Sequence, residues 1–109
     1  MPNQSGSDQI GRIFHAIADP TRRAIVERLV RGPAAVKALA EPLEMSLSAV
    51  MQHLQVLEDA GVIVTEKVGR VRSCRIEPEA LRAAERWLGR QRTGWERQLD
   101  QLGDYLKGP

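Results

Sequence analysis

Ser46-Leu47-Ser48-Ala49-Val50-Met51-Gln52-His53-Leu54-Gln55-Val56-Leu57-Glu58-Asp59-Ala60-Gly61-Val62-Ile63-Val64-Thr65-Glu66 changes its period partway along. Before Gly61, Val50, Leu54 and Leu57 fall at i, i+4, i+7 and form the apolar stripe of a helix over residues 47–60. Ser46 is a side chain suited to cap that helix, and Gly61 to end it. After Gly61 the β-branched run 62–66 predicts a strand. Val68-Gly69-Arg70 then reads as a turn and residues 71–77 as a second strand, with Cys74 and Ile76 on one face. This is a β-hairpin with a basic tip.

Upstream, a short helix over residues 34–42 turns Val36, Leu39 and Ala40 inward, and with the Ser46-capped helix it makes a helix-turn-helix pattern. Gly32-Pro33 stops a preceding helix, which Asp19-Pro20-Thr21 starts: Asp is a good N-cap acceptor and Pro suits the first helical position. Ile10, Ile13, Phe14 and Ile17 recur at helical spacing and predict a first helix over residues 8–18, and residues 1–7 are read as a disordered arm. His15 on the first helix is read as packed. Pro78 opens a long last helix whose Leu81, Ala84, Leu88, Gln91, Trp95, Leu99, Leu102 and Leu106 step by three and four, the rhythm of a packing seam. Gly89, Gly94 and Gly103 weaken it by about 1 kcal/mol each relative to Ala, and a kink or close helix contact is expected near Gly94. The expected fold is mainly α with a β-hairpin wing, in the order α-α-α-α-β-β-α. Residues 8–77 form the winged helix-turn-helix, and residues 78–109 a helix packed on it.

A chain of 109 residues suggests one domain. No apolar run approaches the roughly 20 residues of a membrane span, and the first eight residues do not read as a secretory signal. Cys74 stands alone, which excludes an internal disulfide and a zinc site built from several thiolates. These features together point to the cytoplasm. The net charge is only +2, but it is uneven: residues 19–31 and 62–77 each carry a net of +2, and residues 33–59 a net of −3. No Ser/His/Asp or Cys/His set, nucleotide loop or carboxylate pair suggests catalysis.

With these residues in order, the sequence resembles the ArsR family of winged helix-turn-helix transcriptional regulators over about residues 10–77. The resemblance is carried by Ala18-Asp19-Pro20-Thr21-Arg22-Arg23 with Ile25, by Leu39-Ala40, by Met45-Ser46-Leu47-Ser48-Ala49-Val50 running into His53-Leu54 and Val56-Leu57-Glu58, by Ala60-Gly61-Val62-Ile63, and by Gly69-Arg70. The tail, with Trp87-Leu88 and Trp95 through Leu106, looks like a subgroup that ends in one long helix. The resemblance implies a homodimeric repressor that occupies a double-stranded DNA operator. A helix presented this way fits the major groove. Opposite Val50, Leu54 and Leu57 it offers Ser48, Gln52 and Gln55, flanked by Ala49 and Met51, as candidate base-reading side chains. It departs from the family in carrying no Arg or Lys, where relatives often have a basic residue at the position of Gln52. Phosphate contacts are therefore assigned to Lys67, Arg70 and Arg72 of the hairpin, to Arg22 and Arg23, and to the helix N-terminus at Ser46. The family suggests a phosphate or structural role for His53. Some arginines could instead pair with Glu27 or Glu77, and Glu58 and Asp59 are expected to sit away from DNA.

The cysteine pair with which many members bind metal in the third helix is missing, since that stretch reads Ala34-Ala35-Val36-Lys37-Ala38-Leu39, and residues 78–109 contain no His or Cys. No metal and no cofactor is expected. No pocket for a small-molecule effector is legible. The last helix is longer than one subunit needs, so Leu88, Trp95, Leu99, Leu102 and Leu106, with Ile10, Ile13, Phe14 and Ile17 alongside, are the expected dimer interface. A break at Gly94 that folds the helix back onto its own subunit is the rival arrangement. A protein–protein module that uses the same fold without sequence-specific DNA binding is the alternative function, and salt-dependent DNA binding discriminates the two.

Overall fold

Asp19 and Pro20 divide the N-terminal third into α1 (Ser5–Ile17) and α2 (Pro20–Val30) in the computed structural model, which describes residues 5–107. The Asp19 carboxylate accepts the Arg22 backbone N–H at 3.0 Å, as a helix cap should. The two arginines that follow reach backward. Arg22 Nε donates to the Ala16 carbonyl at 2.6 Å and its Nη2 to the His15 carbonyl at 3.3 Å. Arg23 Nη1 donates to the carbonyls of Ile17 and Ala18 at 2.9 and 2.7 Å. These carbonyls lie at the end of α1, where a helix runs out of backbone donors, and that of His15 also accepts the Ala18 N–H at 3.3 Å. Arg22 Nη1 also lies 3.2 Å from His53 Nδ1 on a later helix. A guanidinium only donates, so Nδ1 accepts and the ring proton of His53 sits on Nε2.

Of the expected disordered arm, residues 1–4 lie outside the described residues. Ser5, Gly6 and Ser7 belong to α1, which starts earlier than the apolar spacing indicates. Once packing holds a helix, each added residue gains one hydrogen bond, so polar residues without an apolar signature can extend it. His15 is exposed rather than packed.

The third helix is also shorter than expected. Ala34–Ala35 form a strand, β1, that pairs antiparallel with Cys74 and Ser73, and α3 spans only Val36–Ala40. Alanine has little strand preference, and it is the open edge of the wing that makes these two residues a strand. The sheet therefore has three strands, in the order β1-β3-β2, where a two-stranded hairpin was expected.

α4 (Leu47–Asp59) begins at Ser46, whose hydroxyl accepts the Ala49 N–H at 3.1 Å. It ends in a Schellman motif: the N–H of Gly61 donates to the Glu58 carbonyl and that of Val62 to the Leu57 carbonyl, both at 2.9 Å. Gly61 has φ +78°, which an L side chain rarely adopts. β2 (Ile63–Val68) and β3 (Val71–Ile76) pair from Ile63↔Ile76 to Val68↔Val71, leaving a two-residue loop with Gly69 at φ +64°. Glu58 accepts both the backbone N–H and the hydroxyl of Thr65, which ties the end of α4 to β2 and fixes the wing against the helix.

Val50, Leu54 and Leu57 of α4 meet Ile13 and Ala16 of α1, Ile25 and Leu29 of α2, and Ile63 and Cys74 of the sheet in one core. α5 (Pro78–Lys107) joins it through Ala80 and Ala84, and Phe14 meets Trp87 edge to face at 5.5 Å. Beyond that stretch α5 continues unbroken as exposed helix. The helix runs without a break through Gly94, and the close contact expected there is not made, since a Cβ at Gly94 would meet nothing within 4 Å. One glycine costs only about 1 kcal/mol in a helix, and sharp kinks generally need a proline or an inserted group.

Two outcomes follow from the α1–α2 corner. The hydrogen bond from the Arg22 backbone N–H holds the Asp19 carboxyl below its usual 3.8, against an opposing effect of burial. A lowered carboxyl stabilises the fold above its unfolded value and loses that contribution as pH falls through its folded value. Asp19→Asn keeps a capping acceptor. Its melting temperature should therefore fall less than that of the native protein between about pH 5 and about pH 2, the range over which such a carboxylate titrates. Arg22→Ala strands the Ala16 carbonyl and the His53 acceptor, and should lower unfolding stability in urea by about 1–3 kcal/mol.

Candidate nucleic-acid interface

Ser48, Gln52, Gln55 and Asp59 step by four, three and four along the side of α4 away from its buried stripe, and all four are exposed. Ala49 and Met51 flank them half-buried, and Met51 packs against the core with its inner side. The side chains of Ser48 and Gln52 make no hydrogen bond among the described residues. Gln55 donates its amide to Asp59 at 2.8 Å. Asp59 thus lies on the same face as the candidate reading residues, at the C-terminal end, whereas groove-reading helices use their N-terminal residues. Glu58 lies off that face, held by Thr65.

The wing brings Arg70 and Arg72 to one cleft with Leu47 and Met51, on the flank of α4 beside this face. Lys67 and Arg72 are directly paired across the strands, on the face shared with Thr65 and Cys74. Like charges directly opposite each other destabilise a sheet. On the opposite face Arg75 is neutralised by Glu66 at 3.0 Å and reaches Glu77 at 3.9 Å. Lys67, Arg70 and Arg72 are exposed and make no ion pair among the described residues. An unneutralised cation pair is a cost that a bound anion removes.

Of the two α2 arginines assigned to phosphate, Arg22 is committed elsewhere and Arg23 is not. Arg22 is half-buried with three nitrogens committed to α1 and His53, so it is a structural clamp. Arg23 is exposed, with one nitrogen bonded to α1. Neither pairs with Glu27. His53 is half-buried, and its Nε2–H makes no hydrogen bond among the described residues. The Cys74 thiol is pushed up by burial and then by the nearby Glu58 carboxylate, which makes it unreactive. Among the described residues, no three or more His, Cys, Asp or Glu side chains gather closely enough to hold a metal ion.

The expected subunit-contact residues divide. Ile13 is fully buried in the core of its own chain and cannot meet a partner. The apolar stripe of α1 is wide enough to cover both the core and a flank, and spacing alone does not separate the two. Ile10, Phe14 and Ile17 lie half-buried on that flank. Leu88, Trp95, Leu99, Leu102 and Leu106 are all more than half exposed along α5. Sequence reasoning passed over Tyr105, 81% exposed near Leu106, and Leu47, 54% exposed at the start of α4. Leu47 precedes Val50, Leu54 and Leu57 by three, seven and ten residues, so spacing alone puts it in line with the buried stripe, and no local signal marks its exposure in the first turn.

Residues 17–66 match the family model of a helix-turn-helix domain. The HTH-type transcriptional regulator Rv2034 of Mycobacterium tuberculosis is 42% identical over 97 residues, covering 85% of this chain and 91% of that protein. A crystal structure of an ArsR family transcriptional regulator is 52% identical, with a TM-score of 0.78 over 83% of this chain and 93% of its own. A solution structure from Mycobacterium bovis, described as a homodimeric winged helix-turn-helix DNA-binding domain, shares the fold with a TM-score of 0.64 at 24% identity, over 93% of each chain. The capped α4, the three-stranded wing that Glu58 ties to it and these likenesses agree: the chain belongs to the ArsR family of winged helix-turn-helix DNA-binding transcriptional regulators.

Proposed function

We propose that the protein is a homodimeric repressor that occupies an inverted-repeat operator in the cytoplasm, blocks polymerase there, catalyses no reaction and does not respond to metal ions. The observation that carries this reading is the unneutralised cation cluster of the wing beside the free polar face of α4. Ser48, Gln52 and Gln55 read base edges, with Gln52 suited to the paired donor and acceptor of an adenine and Ala49 and Met51 to thymine methyl groups. Lys67, Arg70, Arg72 and Arg23 hold phosphates, with the Ser46 helix terminus and His53 Nε2–H as further donors. Metal independence is supported by the dispersal of candidate ligands.

The dimer is supported by the exposed seam of α5. Trp95, Leu99, Leu102 and Leu106 are each more than half exposed along one stripe, an apolar surface that a lone subunit leaves in water. The radius of gyration is 18.7 Å, against about 13 Å for a compact chain of this length. The unbroken helix favours the seam over the fold-back alternative, and the Mycobacterium bovis domain is described as homodimeric.

Footprinting tests the operator. The protected DNA should be an inverted repeat with half-site centres about 34–36 Å apart or a multiple of that, and a single asymmetric half-site would refute the dimeric reading. On that site Gln52→Ala should cost about 1–3 kcal/mol and relax sequence preference. Arg70→Ala should weaken all sequences alike and flatten the salt slope by about one unit. Truncation after Arg92 should give monomers in sedimentation and much weaker operator binding, and a truncated protein that still sediments as a dimer would show that the seam is not the interface.

A further inference from the structure

Between the first turn of α4 and the wing lies a cleft of about 370 Å³, within the usual size range of small-ligand sites. Its walls include Val36, Leu47 and Val71, its rim carries Lys37, Arg70 and Arg72, and no acidic side chain lines it. None of the three cations makes a hydrogen bond or ion pair among the described residues. Leu47 and Val71 are 54% and 52% exposed. The cations alone would suit a phosphate, but a phosphodiester backbone gains nothing from a branched aliphatic wall beside them. Apolar walls, a cationic mouth and no carboxylate complement one kind of molecule.

We infer that this cleft binds an organic monoanion with an apolar body, an aryl or medium-chain acyl carboxylate. The carboxylate meets Arg70 and Arg72, whose planar guanidinium groups can accept it in paired hydrogen bonds, with Lys37 as a third charge. The body covers Val36, Leu47 and Val71. Binding itself requires nothing of the proposed operator function; only its consequence rests on that reading. Because Arg70 and Arg72 are also the proposed phosphate contacts, carboxylate and DNA exclude each other, and the ligand releases the operator.

The test uses 2-naphthoate as the probe, first on the protein alone. Methyl NMR should show saturable shifts at Val36, Leu47 and Val71. The uncharged 2-naphthamide and the bodiless acetate should give none. With 2-naphthoate at about ten times its dissociation constant, operator affinity should fall about tenfold for each subunit whose wing must be free, about a hundredfold for the dimer, the linkage expected of mutually exclusive ligands. The double variant Lys37→Gln, Val71→Ser alters two exposed positions, and circular dichroism checks that it folds. It should bind DNA as the native protein does and lose both the shifts and the release. The inference is overturned by the absence of saturable shifts at these methyls, by equal binding of 2-naphthamide, or by release that persists in the double variant. Saturable shifts in a protein that binds no DNA would support the cleft and refute the operator reading.

Discussion

The guanidinium of Arg22 joins three helices, α1, α2 and α4, through one planar group. It closes the end of α1, belongs to α2 and reaches the ring of His53 on α4. Burial of Val50, Leu54 and Leu57 drives α4 onto the core, but burial is non-directional and would tolerate rotation or sliding of the helix. A planar fork with fixed donor directions does not. It sets where α4 stands relative to α1, and Glu58 then sets where the wing stands relative to α4. The outward polar stripe of α4 and the cations of the hairpin inherit their relative position from these two links, one at each end of the same helix.

What could be read from the sequence follows from how local each signal is. The Ser46 cap, the stripe of α4, the Gly61 stop and the change to period two are written in adjacent residues, and the structure reproduces them within a residue or two. β1 is not written locally at all. Ala34 and Ala35 are a strand only because β3, some forty residues further on, offers them its edge. The same holds for the arginines at 22 and 23. Their positive charge is visible in the sequence, but the carbonyls that take it up become neighbours only when α1 and α2 turn their corner. Ile13 shows a related limit: apolar spacing identifies a buried side, but when the apolar band is wide it does not say whose core will bury it.

Charge arrangement, more than net charge, distinguishes the wing. Arg75 is neutralised by Glu66 on one face while Lys67 and Arg72 oppose each other on the other. A sheet selected for stability alone would alternate signs across that pair as well. Departures from local consistency of this kind tend to gather where a surface meets a ligand, and the stability lost there is offset by the large common core behind it. α5 departs in another way, its apolar seam running far past the domain it grows from.

His53 joins the interior to the surface through one ring. Its Nδ1 accepts from the half-buried clamp at the α1–α2 corner, so its other nitrogen is a donor of fixed identity, set by the fold rather than by the surroundings. Hydrogen bonds in series polarise one another. An oxygen that accepts from Nε2 would push electron density into the imidazole and make Nδ1 a better acceptor, and a guanidinium that approaches Nδ1 makes the Nε2 proton a better donor in turn. The ring thus acts as a relay of polarisation between the α1–α2 corner and whatever lies against α4, and a tighter hold on one side alters the strength of the other without any atom having to move far.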